Sequence, residues 1–255
     1  MRLSHWYGRL GNNIQQCAVG TMVAQQCGST FKQELDHDII EKYEETFGSS
    51  SEEEVSKFFY WEGPYREVTL SSGFVTRSIS QVCKEFVFPH LRVPTVDVPS
   101  DCIVIHIRSG DVFDKGVANP DQYVPNPLSF YMQLIDSFST ALVVTEDDEY
   151  NPVVQELKKH SKVTVQSLTV QEDFATMLAA KNLASSGVGT FAVAAALCSQ
   201  NIENFYCSDV SISEHLNYHM LVGTDVKVHV MELKDYLKPG QWTNSDEQRQ
   251  FILSY

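Results

Sequence analysis

The run Cys102-Ile-Val-Ile-His-Ile107 constrains this chain more than any other stretch. It is almost wholly apolar and β-branched, the composition of a strand covered on both faces. Beyond it, segments of strand and helix length alternate. The order is strand 102–107, loop 108–126, helix 127–138, strand 140–145, acidic turn 146–151, helix 152–160 and strand 162–167. Helix 171–179, strand 181–185, helix 190–200 and strand 203–207 follow. Such alternation predicts an α/β fold with a parallel sheet and right-handed crossovers. The tail adds the apolar run 228–231 and a terminal helix over Asp246–Leu253.

The first half reads differently. Residues 2–7 form a short strand candidate, and Gly8-Arg-Leu-Gly-Asn12 is a glycine loop opening a helix with periodic apolar positions at Ile14, Cys17, Ala18, Met22 and Val23. Residues 34–54 are strongly acidic and read as a solvated helix or loop, with acceptor binding as the rarer use. The aromatics Phe58, Phe59, Tyr60, Trp61 and Tyr65 form a core cluster or a sugar-stacking platform. A helix over 74–90 stops near Pro89. The two-proline stretch 91–100 is the best linker, which divides the chain into 1–98 and 99–255. The terminal helix then belongs to the second part or packs back on the first.

Composition limits partners. A length of 255 residues, 43% hydrophobic and 20% charged, suits an ordinary soluble globular protein. The net charge of -14 argues against nucleic acid or anionic membrane as a partner, since both need basic surface. No apolar run approaches the ~20 residues of a membrane span, and no signal peptide is recognisable. Six scattered cysteines fit reduced, buried thiols. The expected setting is the cytoplasm, or an excised soluble domain of a larger protein.

Three sites fall where strands should end, the place where open α/β sheets bind ligands. Arg108-Ser-Gly-Asp111 offers a guanidinium fork suited to phosphate, or a structural ion pair between Arg108 and Asp111. Thr145-Glu-Asp-Asp148 offers carboxylates for a base or sugar, or caps for the Pro-started helix behind it. Ser185-Ser-Gly-Val-Gly-Thr-Phe191 combines glycines, hydroxyls and a helix start, and reads as a phosphate cradle or a plain tight turn. No Walker loop, Gly-x-Gly-x-x-Gly or Gly-x-Ser-x-Gly pattern occurs at these places. His215 and His219 have metal-like spacing but no third ligand, so no metal is expected.

Taken with the N-terminal loop, these sites resemble the superfamily of nucleotide-sugar-dependent fucosyltransferases. Gly8-Arg-Leu-Gly-Asn12 resembles their Gly-Arg-(Leu/Phe)-Gly-Asn-Gln signature, with Asn13 in place of the glutamine. His106-Ile-Arg-Ser-Gly-Asp111 is similar to their His-x-Arg-Arg-x-Asp motif, with Ser109 in place of the second arginine. Glu146, Asp147 and Asp148 resemble the acidic turn that contacts the base. Ser185, Ser186, Gly189, Thr190 and Phe191 resemble a later phosphate-touching segment, and Tyr123-Val-Pro-Asn-Pro-Leu128 resembles a segment following the arginine motif.

The resemblance implies a GT-B architecture, two Rossmann-like domains facing across a cleft. It also implies an inverting, metal-independent glycosyltransferase without a cofactor, carrying fucose or a related deoxyhexose from a nucleoside diphosphate sugar, GDP-fucose first, to a glycan or other hydroxyl acceptor. Arg108 would take the charge of the leaving diphosphate. Arg9 with Gly8, Gly11 and Asn12 would face it across the cleft. Asp111 and Glu146 remain alternative general bases, with Asp111 otherwise orienting Arg108. Two alternatives stand beside this expectation: a non-catalytic nucleotide- or glycan-binding module, and a metal-dependent phosphotransferase using Asp111, Asp147 and Asp148.

Overall fold

The computed structural model describes residues 1–49, 78–115, 123–210 and 218–255. The aromatic cluster at 56–70, the start of the expected helix 74–90 and His215 lie outside them. The chain is α/β. Six parallel strands form one sheet: β3 (Cys102–Ile107), β4 (Thr140–Thr145), β5 (Val163–Gln166), β6 (Asn182–Ala184), β7 (Asn204–Ser208) and β8 (Lys227–Met231). Their order is β5-β4-β3-β6-β7-β8. The chain therefore builds outward from β3 in one direction, then returns to add β6 on its other side. That reversal is the switch point of a doubly wound, Rossmann-like sheet, and a crevice opens beyond the strand ends there.

Helices cover both faces. All six residues of β3 are buried, and its pleat sends alternate side chains to opposite sides. Ile103, Ile105 and Ile107 meet Phe130, Tyr131 and Ile135 of α4 (Leu128–Asp136) and Val153, Val154 and Leu157 of α5 (Pro152–Leu157). Val104 joins the opposite cluster with Phe174 and Met177 of α6 (Val170–Ala179) and the alanine-rich α7 (Phe191–Cys198). Local chemistry sets the helix starts. Asn151 accepts the Val153 and Val154 amides ahead of Pro152. Thr169 and Glu172 form a reciprocal capping box at α6.

On the second face, against α7, lies α1 (Leu10–Cys27), an eighteen-residue helix buried around most of its circumference and closed by Gly28 in the left-handed conformation. Its Ile14, Cys17 and Ala18 share one apolar cluster with α7. Antiparallel strands β1 (Thr30–Gln33) and β2 (Tyr43–Thr46) follow. Among the described residues of 1–98 there is no parallel sheet. A short α2 (Ile79–Val82) continues through a π turn, Cys83–Val87, and a 3-10 turn, Phe88–His90, and the single turn α3 (Gly110–Phe113) follows β3.

Two expectations change. Residues 2–7 are no strand, and touch a sheet only through the bridge between Arg2 and Lys32. Part of the acidic stretch 34–54 is strand β2 rather than helix or loop, because Tyr43 is buried against Phe31 while the glutamates face outward. The terminal helix, α8 (Asp246–Ser254), packs on α4 and α5. Arg249 holds it by donating to the carbonyls of Tyr150, at 2.9 Å, and Phe113.

Five cysteines are buried, Cys27 is exposed, and none of the six forms a disulfide. No helix among the described residues is long and apolar enough to cross a membrane.

Candidate functional site

A cavity of about 880 Å³ opens at the carboxyl ends of β3, β4 and β6. Gly8, Arg9, Gly11 and Asn12 line it, as do His106, Arg108, Glu146 and Asp147. Ser185, Gly189, Thr190 and Phe191 complete the set from beyond β6. Segments far apart in sequence thus meet at the switch point. Asp111, Asp148 and Ser186 are the expected residues that do not line the cavity.

Arg108 leaves β3 with only 15% of its side chain exposed. Its Nε and Nη2 donate to Asp111 Oδ1 and Oδ2 at 3.0 and 2.5 Å, and its guanidinium lies 4.8 Å from the centre of the Tyr123 ring. Burial opposes the charge, but the Asp111 hydrogen bonds outweigh it and the arginine stays cationic. Burial likewise opposes ionisation of Asp111, and the bonds and charge of Arg108, helped by Arg9, hold its carboxyl below the usual range. Both earlier readings of this arginine therefore coexist: it is ion-paired, and it lines the opening. Nη1 has no acceptor among the described residues and lies near Gly189, where an added Cβ would sit 3.1 Å from it. With φ at +84°, that glycine is favoured on both counts.

Acidic residues hold the loops together. Glu146 accepts the Ser109 amide at 2.7 Å on Oε2, and Arg9 Nη1 at 3.3 Å on Oε1. Arg9 also comes within 3.9 Å of Asp111. Its side chain is 67% exposed, so these contacts contribute only ~0–1 kcal/mol. Asp148 accepts the Ser109 hydroxyl, the Gly110 amide and the Tyr150 amide. It neither caps α5, which is the task of Asn151, nor reaches the cavity.

The glycine turn after β6 is braced from behind. Ser186 donates to the Val188 carbonyl at 2.6 Å, so its hydroxyl serves the turn itself. Asn126 donates to the Ser185 carbonyl at 3.1 Å and accepts from Ser208. The Tyr123–Leu128 segment thus acts as a buttress. Thr190 donates to Asn12 Oδ1 at 2.8 Å. Gly11 sits so close to Thr190 that a Cβ would lie 2.4 Å from its Oγ1 and 2.8 Å from its carbonyl carbon. His106, fully enclosed and edge-on to Phe191, is pushed down to about 3, by burial first and then by Arg108 and Arg9. It is a neutral imidazole.

Four further wall residues are Tyr123, His37, Asp38 and Asp173: the sequence pointed to Tyr123 only within the segment 123–128, to His37 and Asp38 only within the acidic stretch 34–54, and to Asp173 not at all as a site residue. Asp173 accepts from Gln166 at 2.8 Å and from the Leu168 amide at 3.3 Å, and burial raises its pKa. It directly follows Glu172 of the capping box, in the first turns of α6. Among the described residues no cluster of three or more His, Cys, Asp or Glu side chains is arranged to hold a metal. No known family, curated protein or solved structure matches this chain.

Proposed function

We propose that the chain is an inverting, metal-independent glycosyltransferase, moving a sugar such as fucose from a nucleoside diphosphate donor to an acceptor hydroxyl. The observation that carries the reading is the convergence of the glycine loop, the arginine turn, the acidic turn and the second glycine turn on one cavity at the switch point. About 880 Å³ falls within the range of small-molecule sites. The free side of Arg108, the backbone at Gly187 and Gly189, and the start of α7 suit a diphosphate. Under this reading α1 and its loop form the acceptor-side half of a GT-B cleft.

In the reaction the acceptor oxygen attacks the anomeric carbon, and the bond to the diphosphate breaks on the opposite face. Arg108 stabilises charge that grows on the departing oxygen, and it is already held in place by Asp111 and Tyr123. Such preorganisation is what makes a fixed cation more effective than a mobile one.

Titrating GDP, UDP and their sugars while following thermal unfolding tests the proposal. A ligand at hundredfold excess over its Kd adds ~2.7 kcal/mol of stability. No response to any of them removes the reading. Donor consumption that disappears in Arg108→Ala separates an enzyme from a binding module, and activity that survives EDTA excludes a metal-dependent phosphotransferase.

A further inference from the structure

We propose that Asp38 is the general base that accepts the acceptor's proton, an inference that rests on the transferase reading above. A base needs a lone pair that is not already engaged and that a substrate hydroxyl can reach. Asp111 spends both oxygens on Arg108. Glu146 spends one on Arg9 and the other on the Ser109 amide. Asp111 lies outside the cavity lining, and Glu146 stands at the exit of β4 beside Arg108, on the side from which the diphosphate departs.

Three further carboxylates line the cavity among the described residues: Asp38, Asp147 and Asp173. Asp173 is buried and occupied by Gln166 and Leu168. Asp147 directly follows Glu146 at the exit of β4, in the same row of strand ends as Arg108. That row is where the diphosphate departs, and an inverting attack enters from the other face. Asp38 belongs to the first half, in the connection between β1 and β2. It is exposed, and among the described residues its carboxylate has no hydrogen bond or ion pair, its charge being felt by the adjacent His37.

Its backbone is nevertheless fixed. His37 Nδ1 accepts the Ile39 and Ile40 amides at 3.0 and 3.1 Å, and Nε2 lies 3.2 Å from Asn13 Oδ1 on α1. Both imidazole nitrogens are therefore committed, which removes His37 as a rival base. Arg92 adds a bond to the His37 carbonyl at 3.2 Å while remaining near Glu41. A free carboxylate on a pinned turn is a suitable arrangement for proton transfer.

The step balances. The acceptor O–H proton passes to an Asp38 oxygen as the oxygen–C1 bond forms. The C1–oxygen bond to the diphosphate breaks, and its electron pair leaves with the nucleoside diphosphate.

The test uses GDP-fucose hydrolysis, with water standing for the acceptor, and sodium azide as a nucleophile that has no proton to lose. GDP affinity should be the same in wild type, Asp38→Asn and Asp38→Ala, which also verifies folding. Hydrolysis should fall about 100- to 10,000-fold in both variants, the range general bases supply. Azide should restore donor consumption in Asp38→Ala, yielding the glycosyl azide. Variants that hydrolyse at the wild-type rate, or a slow Asp38→Ala that azide leaves slow, overturn the role of Asp38 and leave the transferase reading standing. A wild type that ignores GDP, or binds it but never consumes GDP-fucose, overturns both.

Discussion

Ser109 donates its buried hydroxyl to Asp148 at 2.6 Å, and the same carboxylate takes the neighbouring Gly110 amide at 2.9 Å. The exit of β3 is thereby sewn to the exit of β4. Position 109, an arginine in the motif it resembles, is here a strut with 1% exposure. Ser109→Ala should cost ~1.5–3 kcal/mol, the usual value of a hydrogen bond to a charged group. Ser109→Arg should cost more, because it forces a guanidinium into filled space. Urea midpoints for the two variants check the order.

Arg108→Ala removes the cation and leaves Asp111 unmatched. By comparison with oxyanion-hole donors, donor turnover should fall ~100–1000-fold. Arg108→Lys keeps the charge but loses the fork that spans both Asp111 oxygens, so it should fall between the two. Steady-state rates with GDP-fucose give the ranking, and a lysine variant equal to wild type would refute the need for planar geometry.

Gly11→Ala tests the join between α1 and α7. The new methyl must displace Thr190 backbone, not merely a side chain. Overpacking of this kind costs ~1–3 kcal/mol. The thermal midpoint should drop, and the same change at half-buried Gly28, which meets nothing within 4 Å but has φ at +60°, should cost only the ~1–2 kcal/mol of left-handed strain.

His106 gives a pH signature. Its folded pKa, about 3, lies below the ~6.5 of an unfolded histidine. Between those values the unfolded chain binds a proton that the native protein refuses. Its contribution is therefore complete above pH 6.5 and is lost progressively toward pH 3, at up to ~1.4 kcal/mol per pH unit. Denaturation from pH 7 to 4 should show a shallower decline in His106→Leu than in wild type.

The second half was legible because its strands announce themselves. Cys102–Ile107 and Thr140–Thr145 are apolar runs bounded by turn residues, and the sheet places them side by side. The first half was not. Tyr43-Glu-Glu-Thr46 buries only its tyrosine, and pairing with Thr30–Gln33 decides its conformation. No pattern within four residues carries that information. The site divides in the same way. Arg108 and the Ser185–Phe191 turn lie at strand ends that periodicity could locate. Asp38, Tyr123 and Asp173 reach the cavity through tertiary folding, which spacing along the chain does not encode.

The seam between α1 and α7 has a kinetic consequence. Ile14, Cys17, Ala18 and Ala194 to Cys198 are completely enclosed there. Unburying even two or three such side chains costs ~4 kcal/mol. A clamshell-like gape on that scale would exist in roughly one molecule per thousand. Guests must instead come and go past the long, solvated arm of Arg9, whose swing takes nanoseconds. Dwell time is then governed by the guest's own grip rather than by a hinge.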